Sequence, residues 1–371
     1  MTTTRSRFPH VQNMPHFRSN SFVYNTLPSR VVFGIGTLAS TADEIARLKC
    51  SRAFVLSTPE QAGDAEQLRS RLGSLTVGQY TGATMHTPAE VTERALQQAR
   101  ELDTDVLIAL GGGSTTGLAK AIALRTGLPQ IVIPTTYAGS EMTPILGETA
   151  SGKKTTIRDP KVLPEVVIYD VELTYSLPVS LSATSGMNAI AHAVEGLYAK
   201  DANPITSLMA LEGIRALTRA LPVIVDAPRN KEARFDALYG AWLCGVVLGS
   251  VGMALHHKLC HVLGGSFNLP HAETHTVVLP HATSFNAEAV PALLAPIAEL
   301  LGSEGPGQGL YDLEKRMGVP TTLREIGLPE DALDRAADIA MEQPYWNPRP
   351  LSREAIRAIL DDAWHGRRPR Y

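Results

Sequence analysis

Short apolar runs alternate with amphipathic stretches through the first half of the chain. Arg30–Gly34 (RVVFG), Ala53–Ser57 (AFVLS), Asp105–Leu110 (DVLIAL), Gln130–Ile133 (QIVI) and Val166–Tyr169 (VVIY) read as strands. Asp64–Leu72 and Pro88–Leu102 carry helical spacing between them. Strands that alternate with helices predict a parallel sheet covered on both faces. Ligands of such sheets sit beyond the carboxyl ends of the strands.

The texture changes near Pro178. Ala- and Leu-rich helical patterns follow at Ser182–Lys200, Pro204–Leu221, Lys231–Leu255, Ala287–Leu301, Gly307–Met317 and Ser352–Trp364. The reading is a loose tail over residues 1–20, an α/β nucleotide-binding domain over 21–178 and an all-α catalytic domain over 179–371. No repeat or low-complexity tract interrupts this organisation.

Composition narrows the class. The 371 residues are 44% hydrophobic and 19% charged, enough apolar material for a large core and too little charge for a disordered chain. A formal charge of −3 argues against a nucleic-acid partner. Three cysteines without a CxxC pair imply no disulfide framework and a reducing, cytoplasmic setting. Ala237–Leu255 is uncharged and about long enough to span a bilayer, but its four glycines favour a buried helix and no membrane partner.

Chemistry enters at two strand ends. In DVLIALGGGSTTGLAK (Asp105–Lys120) an apolar strand runs into a glycine turn and a helix. Glycines let a ligand approach the backbone, and the helix N-terminus favours an anion such as a pyrophosphate. A tight turn capped by Ser114 is the alternative. IVIPTTYAGSEMT (Ile131–Thr143) repeats the theme with hydroxyl groups. Neither turn is GxGxxG, and the chain has no GxxxxGK[ST] loop, so a kinase or ATPase lacks its signature.

Six of the 11 histidines lie between positions 256 and 281, and His192 follows Asn188 by one helical turn. His257 and His261 share a helix face. Two chemistries compete: imidazoles that bind Zn²⁺ or Fe²⁺, or histidines that act as acids and cations toward an anionic substrate. Cys260, inside the cluster, reads as a small buried hydrophobe.

GGGSTTGLAK, PTTYAGSEMTP (Pro134–Pro144), GMNAIAHAVEGLYA (Gly186–Ala199) and HHKLCHVLGGSFNLPHAETH (His256–His275) resemble the iron-containing alcohol dehydrogenase superfamily. YAGSE, MNAIAH and PYWNPRPL (Pro344–Leu351) are most similar to its maleylacetate reductases. The resemblance implies an active site in the cleft between the two domains and a homodimer. It implies NADH or NADPH held by Gly112, Gly113, Ser114, Thr135, Thr136 and Ser140, with Lys154 near the cofactor. Metal-dependent members place an Asp and three His where this chain has Asn188, His192, His257 and His271. His261 matches a histidine beside the nicotinamide.

The departures carry information. Asn188 is a poorer partner than Asp for a hard cation, and it removes repulsion of an anionic substrate. Gly117 stands where many members carry an Asp, and Thr58 stands where an acidic residue would repel a 2′-phosphate, so nothing there excludes NADPH. The expectation is a metal-free reduction of a small dicarboxylate by NAD(P)H, with His192, His257, His261 and His271 catalytic. Asn188, Lys258 and Arg349 are candidates to meet the substrate. If a metal binds, His192, His257 and His271 hold it. The competing readings are a metal-dependent alcohol dehydrogenase and a non-catalytic nucleotide sensor.

Overall fold

A computed structural model describes residues 22–27, 29–150 and 153–370, with the side chains of Lys153 and Lys154 outside the described part. The tail expected over residues 1–20 lies outside the described residues.

Among the described residues eight strands form: β1 (Arg30–Gly34), β2 (Ala53–Leu56), β3 (Thr76–Tyr80), β4 (Val106–Gly111), β5 (Gln130–Pro134), β6 (Ile145–Ala150), β7 (Lys153–Arg158) and β8 (Val166–Asp170). Six of them make one parallel sheet in the order β1-β8-β5-β4-β2-β3. The central strands β2, β4, β5 and β8 are buried along their length, as two-sided coverage requires. The four helices of this half are α1 (Thr41–Arg47), α2 (Ala62–Leu72), α3 (Ala89–Glu101) and α4 (Gly113–Thr126).

From β2 the chain steps outward to β3, whereas from β4 it steps the other way to β5. The reversal opens a crevice beyond the carboxyl ends of β2 and β4, where open α/β sheets hold their ligands. Ser57–Thr58 and Gly111–Ser114 lie at those two ends.

The second half is helical: α5 (Val179–Tyr198), α6 (Pro204–Asp226), α7 (Lys231–Ser250), α8 (Leu255–Phe267), α9 (His271–Ala287), α10 (Pro291–Leu301), α11 (Pro306–Met317), α12 (Ala332–Glu342) and α13 (Arg353–His365). Helix α5 is buried almost throughout and forms the centre of an apolar cluster with α6, α7 and α9. Asn203 starts α6 with a capping box, its side chain accepting from the Ile205 and Thr206 amides.

Four expectations change. Strand β3 adds an edge to the sheet read from the sequence, and β6 and β7 form a separate antiparallel hairpin. The helix expected over Lys231–Leu255 breaks after Ser250, and α7 and α8 meet at 94°. Among the described residues no single helix is long and apolar enough to cross a membrane. Helix α9 runs 17 residues from His271, and α12 was not read from the sequence.

Candidate active site

The cofactor side is built from the strand ends. Gly111 closes β4 with φ of +154°, and a β-carbon there would fall 2.4 Å from Thr115 Oγ1 and 2.5 Å from Gln61 Oε1. No larger residue fits this turn without displacing both groups. Helix α4 then begins with Gly112 as its N-cap in extended conformation, with no side chain capping it. Ser114 sits inside the first turn rather than at the cap. The first amides of α4, at Gly113 and Ser114, are therefore left for a ligand.

Thr58 and Thr135 belong to the same rim. Thr58 Oγ1 lies 3.4 Å from Gln61 Oε1, and Gln61 Nε2 donates to Thr135 Oγ1 at 2.5 Å. Gln61 thus ties the end of β2 to the end of β5, a role the sequence reading missed. Thr136 is half-buried against Gly112. Ser140 Oγ is buried without a hydrogen-bond partner, and a β-carbon on Gly113 would lie 4.0 Å from it. At Gly117 a β-carbon would meet Thr87 Oγ1 at 2.4 Å, so a threonine hydroxyl fills the space a larger residue would take. The side chain of Lys154 is outside the described residues.

Buried groups fix the turn that carries Thr136 and Ser140. Lys120 Nζ, fully buried, donates to Ser140 O at 2.6 Å, Thr143 O at 2.7 Å, Ile145 O at 2.9 Å and Thr143 Oγ1 at 3.0 Å. Arg234, also fully buried, donates to Ser182 Oγ at 2.7 Å and lies 3.4 Å from Tyr137 Oη. Lys120 thus anchors the turn to α4, and Arg234 meets it from the helical half at Tyr137.

Gly139 joins the cofactor turn to the histidines. Its φ is +81°, and a β-carbon would lie 3.2 Å from Gly245 Cα and 3.3 Å from His192 Nδ1. This close approach brings the hydroxyl-rich turn against the imidazole cluster.

The cluster forms where α5, α8 and α9 meet. His192 and His257 have ring centroids 5.1 Å apart, His257 and His275 5.0 Å, and His271 and His275 4.4 Å. His257 and His261 lie 6.1 Å apart, one turn along α8. The four histidines expected to act therefore converge. Asn188 is buried one turn before His192, and its Oδ1 has no hydrogen-bond partner.

Burial, supported by the charges of His257, His271 and His261, holds His192 well below the ordinary histidine range. His192 is therefore a neutral imidazole. The cationic pocket expected from the sequence does not include it.

Glu195 organises the cluster and was not read from the sequence. Its carboxylate is fully buried. One oxygen accepts the His256 amide at 2.7 Å. The other accepts the Ala254 amide at 2.8 Å and pairs with His257 Nδ1 at 2.7 Å. In that pairing His257 Nδ1 donates to the carboxylate, and its Nε2 is buried without a hydrogen-bond partner. His261 Nδ1 meets Tyr345 Oη at 3.0 Å, so the PYWNPRPL segment supplies a second orienting group.

The substrate candidates separate. Lys258 is half-buried, its ammonium 5.8 Å from the Tyr345 ring centroid. Arg349 is occupied elsewhere: it pairs with Glu288 at 2.8 Å, donates to Phe285 O at 2.9 Å and stacks on the Phe285 ring at 4.1 Å. Its guanidinium fastens the segment to the end of α9.

The iron-containing alcohol dehydrogenase model matches residues 28–171, and the C-terminal model of the same family matches residues 182–364. The chain belongs to the iron-containing alcohol dehydrogenase family. It is 59% identical to maleylacetate reductase from Rhizobium sp. (strain MTP-10005) over 94% of this chain and 99% of that one. Identity to maleylacetate reductase from Burkholderia cepacia is 54%, with the same coverage. The crystal structure of maleylacetate reductase from Agrobacterium tumefaciens superposes with a TM-score of 0.92 at 59% identity, covering 95% of this chain and all of that one.

The family implies a metal ion. His192 Nδ1 and His257 Nε2 are buried without hydrogen-bond partners, a donor pair that suits a borderline cation such as Zn²⁺, and His271 would complete the set. The set lacks the carboxylate that would offset the ion's charge, since Asn188 supplies a neutral amide.

Proposed function

We infer that this protein reduces the C=C bond of maleylacetate with NADH or NADPH to give 3-oxoadipate. The relatives with that activity match nearly the whole chain at 51–59% identity. The observation that carries the mechanism is the abutment of the cofactor turn on the histidine cluster at Gly139 and His192.

Maleylacetate has a ketone conjugated to a C=C bond and a carboxylate at each end. The nicotinamide delivers hydride to the alkene carbon β to the ketone. The π electrons shift to the ketone oxygen as an enolate, and the carbon between them takes a proton. The pocket therefore needs hydrogen-bond donors at one oxygen and a proton source at one carbon. A neutral His192 N–H serves as a donor without bringing a charge. A buried, neutral imidazole polarises a carbonyl in this way. His261, oriented by Tyr345, and His271 complete the donor set. Lys258 is the cation best placed to pair with a substrate carboxylate.

A metal in the cluster would polarise the ketone oxygen. We propose that turnover does not require one. An enone that already conjugates its charge into an enolate needs less Lewis acidity than a neutral alcohol does. A dianion is also better received beside Asn188 than beside Asp.

Substrate profiling tests the reading. The protein oxidises NAD(P)H with maleylacetate and forms 3-oxoadipate. Reduction of NAD⁺ with ethanol or diols, without maleylacetate turnover, would reject it in favour of an alcohol dehydrogenase. Tight NADH binding with no turnover on any enone would favour a sensor.

A further inference from the structure

Helix α8 carries two histidine stripes. His257 and His261 face the pocket just described, while His256 and Cys260 occupy the neighbouring stripe. There His256 Nε2 lies 2.9 Å from His275 Nδ1 and 3.6 Å from Cys260 Sγ. Nitrogen, sulfur and nitrogen all fall within 4.8 Å of one another. The three residues are at most 2% exposed, and the second nitrogens of both rings have no hydrogen-bond partner.

We propose that His256, Cys260 and His275 form a binding site for a thiophilic divalent ion such as Zn²⁺ or Co²⁺, and that its occupancy suppresses turnover. Around tetrahedral Zn²⁺, bond lengths of about 2.0–2.1 Å to nitrogen and 2.3 Å to sulfur place ligand atoms roughly 3.3–3.6 Å apart. The Cys260–His256 distance already satisfies this. The two rings must open by a few tenths of an ångström. Binding releases the thiol proton, while the imidazole proton between the two rings moves to the outer nitrogen of the ring that carried it, so both histidines bind as neutral ligands and a fourth position is left for water. Two imidazoles and one thiolate select zinc or cobalt over magnesium and calcium.

The site couples to catalysis through His275. Its ring packs 4.4 Å from His271 and 5.0 Å from His257. An ion that draws His275 toward Cys260 displaces it from both pocket histidines. This second step rests on the reductase reading; ion binding does not.

Sulfur ligation gives a direct readout. Metal-stripped protein is titrated with Co²⁺ and the near-ultraviolet thiolate-to-cobalt band is recorded. The wild type develops the band at one equivalent. Cys260→Ala and Cys260→Ser lose it while keeping maleylacetate turnover. Cys50→Ala and Cys244→Ala keep it. Zn²⁺ inhibits the wild type, and half-inhibition in Cys260→Ala needs at least a tenfold higher concentration. Absence of the band in the wild type, or its survival in Cys260→Ala, overturns the site. Loss of the band with unchanged zinc inhibition overturns the coupling. If the Cys260 variants do not fold, X-ray absorption of the cobalt-loaded wild type decides, since one sulfur in the cobalt shell is required. No enone activity with the band intact would refute the reductase reading and leave the site standing.

Discussion

Replacing Glu195 with Gln isolates what one buried carboxylate does for the histidine cluster. Its two oxygens accept three hydrogens, from the His256 amide, the Ala254 amide and His257 Nδ1. A glutamine retains one acceptor oxygen. With that oxygen on the His256 amide, its NH₂ group faces the Ala254 N–H and His257 Nδ1. The Ala254 amide then has no acceptor, and His257 must move its proton to Nε2. Hydrogen bonds to charged groups are worth roughly 1.5–3 kcal/mol, so losing two of them predicts a destabilisation of roughly 3–6 kcal/mol. Reversing the His257 tautomer predicts a fall in kcat/KM for maleylacetate of roughly 10- to 100-fold, the usual effect of losing a group that orients a functional histidine. Urea denaturation and NADH oxidation on Glu195→Gln measure both quantities. Wild-type midpoint and wild-type kcat/KM in this variant would refute the assignment.

Further predictions follow from single groups. Asn188→Asp restores a carboxylate beside the substrate: KM for maleylacetate rises, and affinity for Zn²⁺ or Fe²⁺, measured by calorimetry, increases. Gly111→Ala drives a methyl group into Thr115 and Gln61, so NADH affinity, read by fluorescence titration, falls at least tenfold and the melting temperature drops. Burial, partly offset by Asp362, lowers His281 to about 4. The unfolded chain binds its proton near pH 6.5, so this group makes stability fall from pH 6.5 down to about 4 and contributes no further change below. The span is worth about 3 kcal/mol, and His281→Gln should flatten that part of the stability–pH curve.

The sequence made some of this architecture legible because apolar runs and glycine turns are local signals. The β4–α4 turn is one: a buried strand, three glycines and a helix appear in order along the chain. Strand β3 escaped because Thr76–Tyr80 is an edge strand of intermediate burial, with Gly78 pressed against Leu102 and Phe54. The β6–β7 hairpin escaped because its second strand, KKTTIR, offers no apolar period. Helix α9 is buried although its sequence is rich in His and Thr, so hydrophobic spacing could not reveal its length. The break after Ser250 had a signal in Gly252, whose amide binds Asp201 at 2.9 Å.

The site shows the same division. His192, His257, His261 and His271 were conspicuous by residue type and spacing. Glu195 was not, because its partners lie about 60 residues later and only the packing of α5 on α8 brings them together. The part played by Arg349 was hidden for a similar reason. A guanidinium near a motif is ambiguous until the fold shows it clasping Glu288 and the Phe285 carbonyl.

The most direct test of the central claim is turnover by metal-stripped protein. Maleylacetate-dependent NAD(P)H oxidation is followed after exhaustive chelation, with product identity by mass spectrometry and metal content measured on the same sample. The account predicts 3-oxoadipate formation at an undiminished rate with far less than one metal ion per chain. Activity that vanishes on chelation and returns with Fe²⁺ or Zn²⁺ would contradict it.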